Sequence, residues 1–397
     1  GYRINFGPKN FFCIWKSEIF VHNISHLQTA LKQILFIFLM DSMLYFCSFL
    51  MVILLAILLQ LVLFSPISPQ ILEIPSASQT FTSNSYLQRV SKLGEGFLDR
   101  PEDVAVDKMG IVYTATRDGW IKRRHKNGTW ESWKYIGRDT LLGLKVSSSG
   151  HIIVCDAQEG LLKVTEDGVT VLASHVNGQK IRLADDVVEA SDGSVYFSVA
   201  STKFGLHEWF LDVLEAKPHG QLLKYSPSLN QTSIILDNLG FANGVALSAD
   251  QDYLVVCESW KFRCLKYWLK EEMKGQTDMF IDNLVGAPDN IKLAPDGSFW
   301  IALIQVTAPG LNFIHKSIAS KHLVASFPKL MKWVIGAYHK AMVVNVAADG
   351  KITKGFDDPT GKVMSFVTSV LEYDDHLYLG SLNCDFIGKL PLTTSTD

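Results

Sequence analysis

Charge of one sign is what this chain most conspicuously lacks. Its 37 Lys and Arg residues stand against 40 Asp and Glu, a formal charge of −3. Nucleic acid demands a basic face, so that class of partner is not indicated. Cysteine is scarce, with 6 in 397 residues, which is too few for a disulfide scaffold. Cys155 and Cys257 follow β-branched residues and read as buried small hydrophobes. Cys257 and Cys264 flank one predicted hairpin, and the sequence leaves open whether they pair. Only 13 prolines occur and no low-complexity tract, so no disordered half is expected. There is no Gly-x-Ser-x-Gly, hence no sign of a serine-hydrolase elbow. His207, Glu208 and His219 have no partners at metal-ligand spacing and read as surface or pocket-rim residues.

What is present is a repeated phrase. It runs LADDVVEASDGSVYFSVAST from Leu183, FANGVALSADQDYLVVCES from Phe241 and APDNIKLAPDGSFWIAL from Ala287. Each copy has a polar Asp/Asn knot, a short apolar strand, an Asp-Gly-type turn and a second strand rich in Val, Tyr, Phe and Trp. An Asp-Gly pair between period-2 runs is a strong hairpin signal. Recurrence every 40–60 residues or so is the signature of propeller blades. Weaker copies near Glu102, Leu142 and Ser365 bring the count to six units, so the fold class is all-β, a six-bladed propeller. The knots enter the first strand of each blade, and first strands line the central channel. The knots should therefore meet on the axis, where the chemistry is expected. Two inserts carry helical spacing: Leu206, Phe210, Leu211 and Leu214 in one, and Leu323, Phe327, Leu330, Met331 and Val334 in a second that follows a Pro309-Gly310 turn signal. Either they roof the channel mouth or they only cover blade edges. Trp209, Trp260, Trp268 and Trp300 read as blade packing.

The N-terminal part is organised differently. Residues 1–39 start with Gly and read as an uncertain extension. Within residues 43–65, the run Leu44 to Phe64 has no charge and one Gln, Gln60. It matches the ~20 apolar residues that span a bilayer and exceeds the ~7–15 of a signal h-region. A retained signal-anchor is preferred over a cleaved signal peptide, so the membrane is an expected partner through residues 44–64. Lys9, Lys16 and Lys32 before the run favour a cytosolic N-terminus and a lumenal remainder in the secretory pathway. Asn127-Gly-Thr and Asn230-Gln-Thr are glycosylation sequons near predicted turns. Residues 66–92 are rich in Ser, Thr and Pro and read as a linker, with the propeller occupying 93–397.

The stretches STKFG, KPHGQLLKY, GFANGVALS, GAPDNI and HLYLGSL, in this order, resemble strictosidine synthase-like proteins over about Leu93 to Leu392. The nearest group looks like the plant members related to the adipocyte plasma-membrane-associated protein. The resemblance implies a six-bladed propeller, placed in the endoplasmic reticulum membrane or the vacuole. The wider superfamily includes paraoxonase-like lactonases. By resemblance, Glu102, Asn243 and Asp289 match axial metal ligands of the lactonases, and Asn290 matches an extra one. Hard oxygen donors from several blades suit Ca2+. The departure is Ala184, in a slot where metal-binding relatives carry Asn; Asp185 or Asp186 is next to it. With such a metal, Asp289 or Asp185 would be the catalytic carboxylate of an ester or lactone hydrolase. The synthase reading needs a Glu four residues before Glu372, and Thr368 stands there. A Thr hydroxyl has no usable pKa for a base, which disfavours a Pictet–Spengler condensation. Thr368 and Glu258 are candidate pocket residues for a small-molecule substrate. A non-catalytic binding propeller remains a third reading, and oligomeric state carries no signal.

Overall fold

The computed structural model describes residues 9–270, 272–304, 309–327, 329 and 340–392, with residues 9–22 and 309–311 as backbone only. Two compact units result, residues 1–64 and 65–397. The first is a single helix, α1 (Lys9–Leu63), of which Asn23–Leu63 is long and apolar enough to cross a membrane.

The second unit is the propeller, with six four-stranded antiparallel sheets. Blade one begins with the inner strand Val104–Val106, and the inner strands of blades two to six are Leu141–Val146, Ala184–Glu189, Ala242–Leu247, Ala287–Leu293 and Val367–Tyr373. The turns behave as their sequences require. Gly193, Gly297 and Gly350 take φ of +81°, +85° and +85°, which favours a residue without Cβ. The preceding aspartates close each turn: Asp192 accepts from Ser194 N at 2.8 Å, Asp296 from Ser298 N at 2.9 Å and Asp349 from Lys351 N at 3.1 Å. Apolar side chains fill the space between blades; Ile153, Cys155 and Leu161 of blade two pack with Val187, Phe197 and Leu223 of blade three.

The ring closes across the chain ends. Ser91–Leu93 is the outer strand of blade six, pairing Ser91 with Lys389. The expected linker is not free: residues 67–90 lie on the propeller as a strap. Ser68 N donates to Glu215 Oε2 at 3.1 Å, Gln70 N to Glu215 O at 2.8 Å and Leu72 N to His315 O at 3.2 Å. Further along, Asn84 N donates to Asp357 Oδ1 at 2.9 Å, and Leu87 is completely buried. The strap's polar side chains add further bonds, Gln79 Nε2 to Gly350 O at 3.1 Å and Gln88 Nε2 to Asp358 Oδ1 at 2.8 Å, so a composition that reads as a linker serves to dock it.

The first insert forms α2 (Trp209–Glu215), burying Leu211 and Leu214. In the second, Pro309 opens a helix instead of a turn, since proline suits the first helical position. It yields α3 (Pro309–His315) and α4 (Ile318–Ser326). Leu330, Met331 and Val334 lie outside the described residues. Cys257 and Cys264 face each other in register on neighbouring strands and form a disulfide.

The inner strands share one irregularity. In blades two to five, pairing with the second strand skips two residues: Leu141 to Leu144, Ala184 to Val187, Ala242 to Val245 and Pro288 to Ile291. Blade six skips one, Val367 to Ser369. Such bulges re-aim side chains. The skipped residues form two stacked tiers on the axis. Close approach of neighbouring blades explains the glycines there: a Cβ at Gly244 would lie 2.5 Å from Asp289 O.

The lower tier supplies its own cation. Lys292 Nζ sits 2.8 Å from Asp103 Oδ2 and 3.1 Å from Asp186 Oδ1, both carboxylates fully buried. Asp103 also accepts from Leu144 N at 2.9 Å, and Asp186 from Val245 N at 2.9 Å. One ammonium and two carboxylates thus tie together blades one to five. Uncompensating a buried pair of this kind costs roughly 3–5 kcal/mol.

Candidate functional site

Above that hub, the first skipped residue of blades two to six, together with Glu102 just before the inner strand of blade one, forms the upper tier. In blade order these are Glu102, Leu142, Asp185, Asn243, Asp289 and Thr368. The register corrects one expectation. Ala184 is equivalent to Ala242, on the strand before the bulge, and Asp185 occupies the slot beside Asn243. A carboxylate therefore stands where Ala184 had seemed to leave a gap.

All but Thr368 of the upper tier line a cavity of about 560 Å³. Its walls include Leu183, Phe241, Trp260 and Trp209, with Arg100, Arg117 and His207 nearer blade one and the mouth. Trp209 and Trp260 pack against the core as expected and also form the wall: their rings stack at 6.3 Å, and Phe241 lies 4.5 Å from Trp260. Trp260 Nε1 donates to buried Asp212 at 3.0 Å, which fixes the indole. Trp300 remains structural, donating to Glu372 Oε2 at 2.6 Å, so Glu372 is engaged outside the cavity. Glu258 does not line it either. Its buried carboxylate accepts from Gly240 N at 2.7 Å, Lys261 at 2.8 Å and Arg263 at 2.6 Å, the strand register having placed Arg263 beside it. Its neighbour Ser259 lines the cavity instead. Thr368 is buried and donates to Glu102 O at 2.7 Å. Asn127 and Asn230 sit in exposed turns remote from the axis.

The electrostatics of the floor are unbalanced. Burial, then Asp103, Asp289 and Asp185, pushes the Glu102 carboxyl well above its usual range. Burial, then Asp185, does the same to Asp289. Burial and then Asp186 raise Asp185 to about 8. Arg117 opposes part of this but forms no ion pair with any of them among the described residues.

The polar atoms show where a cation fits. Asn290 Nδ2 donates to Glu102 Oε1 at 2.9 Å, while Asn290 Oδ1 and Glu102 Oε2 are buried without a partner. Asn243 bonds to Asp289 and leaves its own Oδ1 equally unpartnered. Buried oxygens without donors are costly, and here they coincide with repelling carboxylates. Among the described residues no three His, Cys, Asp or Glu side chains converge to hold a metal by themselves. A metal held here would need the amide oxygens of Asn243 and Asn290 to complete the set, and an all-oxygen mixture of that kind fits Ca2+. Arg117 and Leu142 were not legible as site residues: Arg117 lies in a turn and Leu142 in an ordinary apolar strand.

Comparison with known proteins is consistent with this architecture. The strictosidine synthase family profile matches residues 185–272, and the strictosidine synthase-like N-terminal profile matches 80–124. The chain is 33% identical to protein strictosidine synthase-like 4 of Arabidopsis thaliana, over 80% of this chain and 86% of that one. It is 32% identical to the rat (Rattus norvegicus) adipocyte plasma membrane-associated protein, over 83% and 93%. Among solved structures, a gluconolactonase of Xanthomonas campestris superposes with a TM-score of 0.56 at 13% identity, covering 83% of this chain and 99% of its own. That likeness shows the propeller fold alone.

The raised carboxyls give a pH dependence. Between 3.8 and about 8, folded Asp185 holds a proton that the unfolded chain has released. Stability of the cation-free protein must then fall as pH rises through that window. Thermal melts in chelator should show a lower Tm at pH 8.5 than at pH 5.5, with excess calcium narrowing the gap. A Tm that rises with pH in chelator would contradict the geometry.

Proposed function

The chain belongs to the strictosidine synthase-like family, and from there we propose that it is a hydrolase of small esters or lactones, of the arylesterase or lactonase type. Its site is the axial cavity, and Glu102, Asn243, Asp289 and Asn290 would hold a calcium ion, with Asp185 adjoining them. The observation that carries this reading is the set of unpartnered oxygens, Glu102 Oε2, Asn243 Oδ1 and Asn290 Oδ1, among mutually repelling buried carboxylates. When bound, calcium supplies polarisation of a carbonyl and stabilisation of the negative charge that develops on its oxygen.

The chain's own groups do the rest. Phe241, Trp209 and Trp260 seat the apolar part of the substrate against the wall and keep water from it. Asp185 or Asp289 accepts a proton from the attacking water at a carboxylate oxygen, and a cation nearby favours the ionised form that this requires. The proton then passes to the leaving oxygen as the acyl C–O bond breaks. The synthase-type condensation is disfavoured, because Thr368 is a neutral hydroxyl already bonded to Glu102 O.

We place the propeller in the lumen of the secretory pathway, on the endoplasmic reticulum membrane or in the vacuole, with α1 as a retained signal-anchor. The Cys257–Cys264 disulfide supports an oxidising compartment. Asn127 and Asn230 are exposed in turns where glycans are tolerated. Endoglycosidase treatment of the natively expressed chain should increase its gel mobility, and N127Q/N230Q should remove the shift; an unshifted chain would argue against this placement.

Activity is tested with phenyl acetate and a γ-lactone. Asp289→Asn should lower calcium-dependent kcat by roughly 100-fold or more while leaving the circular dichroism spectrum intact. Undiminished turnover in the variant would remove the hydrolase reading.

A further inference from the structure

Arg117 is used by nothing described so far. It lies in the turn between the second and third strands of blade one, Val112–Ala115 and Trp120–Arg124. Its backbone N–H donates to Asp99 O at 2.8 Å, and Nη1 donates to Asp139 O at 2.8 Å. Among the described residues that neutral carbonyl is the one hydrogen-bond partner of its side chain, although a guanidinium carries five N–H donors. Only 8% of its surface is exposed, and it lines the axial cavity. A buried guanidinium without a carboxylate partner is unusual, because desolvating an unpaired charge is expensive.

Glu102, Asp185 and Asp139 offset part of that cost from a distance, while Arg100 adds to it. Glu102 and Asp185 are also among the residues whose oxygens and charges call for a cation of their own. With a divalent ion satisfied by the floor, the guanidinium would be left as a positive charge facing the cavity. Across the ring, blade one stands opposite blade four, which is bracketed by Phe241 and Trp260. The cavity thus has a cationic wall, an acidic floor on the axis and an aromatic wall on the far side.

We propose that Arg117 is an anion-recognition residue, selecting ligands that join a flat apolar body to a carboxylate or similar anionic group. Placed so, the anion meets Arg117 while the body stacks on Trp260 and Phe241. A charge-assisted pair with guanidinium is short and about twice as strong as a neutral hydrogen bond. A neutral ligand of the same shape would leave the guanidinium unpaired. The substrate class follows only if the hydrolase reading holds, in which case it is anionic aryl or acyl esters and lactones; the anion subsite itself is a binding property.

The test uses the full-length chain in detergent with calcium, and two probes of similar shape, 2-naphthoate and 2-naphthalenemethanol, titrated by quenching of tryptophan fluorescence. The expected result is at least about tenfold tighter binding of the naphthoate. Arg117→Gln should bring the ratio close to one, and Arg117→Lys should restore part of it. Equal affinities in the unmodified protein, or no binding of either probe, would overturn the proposal, and neither outcome depends on a variant folding. Equal weakening of both probes by Arg117→Gln would overturn it too. Retained naphthoate preference with no hydrolysis of the anionic ester 6-acetoxy-2-naphthoate would sink the hydrolase reading and leave the anion subsite standing. Hydrolysis without that preference would do the reverse.

Discussion

The contact between Lys292 and the two buried aspartates Asp103 and Asp186 is the constraint on which the axis depends. Propeller blades pack side by side through apolar faces, which are non-directional. The hub adds direction. Each aspartate reaches the backbone of the next blade, and the lysine reaches both aspartates. The bulges in the inner strands are thereby held at a common height. The residues just before Asp103 and Asp186, namely Glu102 and Asp185, are then fixed on the floor of the cavity.

The two tiers differ in how their charge is met. Below, two carboxylates have a lysine, whose proton their charge holds firmly. Above, among the described residues Glu102 and Asp185 have Arg117 at a distance, Asp289 has the Asn243 amide, and several oxygens have no donor. A fold that satisfies one acidic tier internally and leaves the one above it unsatisfied has the form expected of a ligand site, since buried polar groups are otherwise paired. The cavity sits directly on the unsatisfied tier, and the first helical insert contributes Leu206, His207 and Trp209 to its rim.

Much of this was legible. The Asp-Gly turns and alternating strands specified hairpins, their spacing specified blades, and the Asp/Asn knots located the axis, because each of these is a local chemical preference. The register of the knots was less accessible. The resemblance placed a gap at Ala184, but in the register Ala184 is equivalent to Ala242 and Asp185 to Asn243, so a carboxylate takes the slot. Glu258 illustrates the opposite failure: its carboxylate looked available, but it ends the second strand of blade four, where Arg263, brought beside it by a hairpin, consumes it. Arg117 and the tryptophan wall carried no local signal, since turn arginines and strand-end tryptophans are ordinary features until the ring closes around them.

The central claim is that the upper tier is a cation site completed by amide oxygens. Calorimetric titration of calcium into the chelator-stripped protein, beside Asn243→Ala, tests it most directly. The account predicts one binding event with proton release, because raised carboxyls must ionise to take the metal, and loss of most of the heat in the variant. No heat in either protein, or the same heat in both, would contradict it.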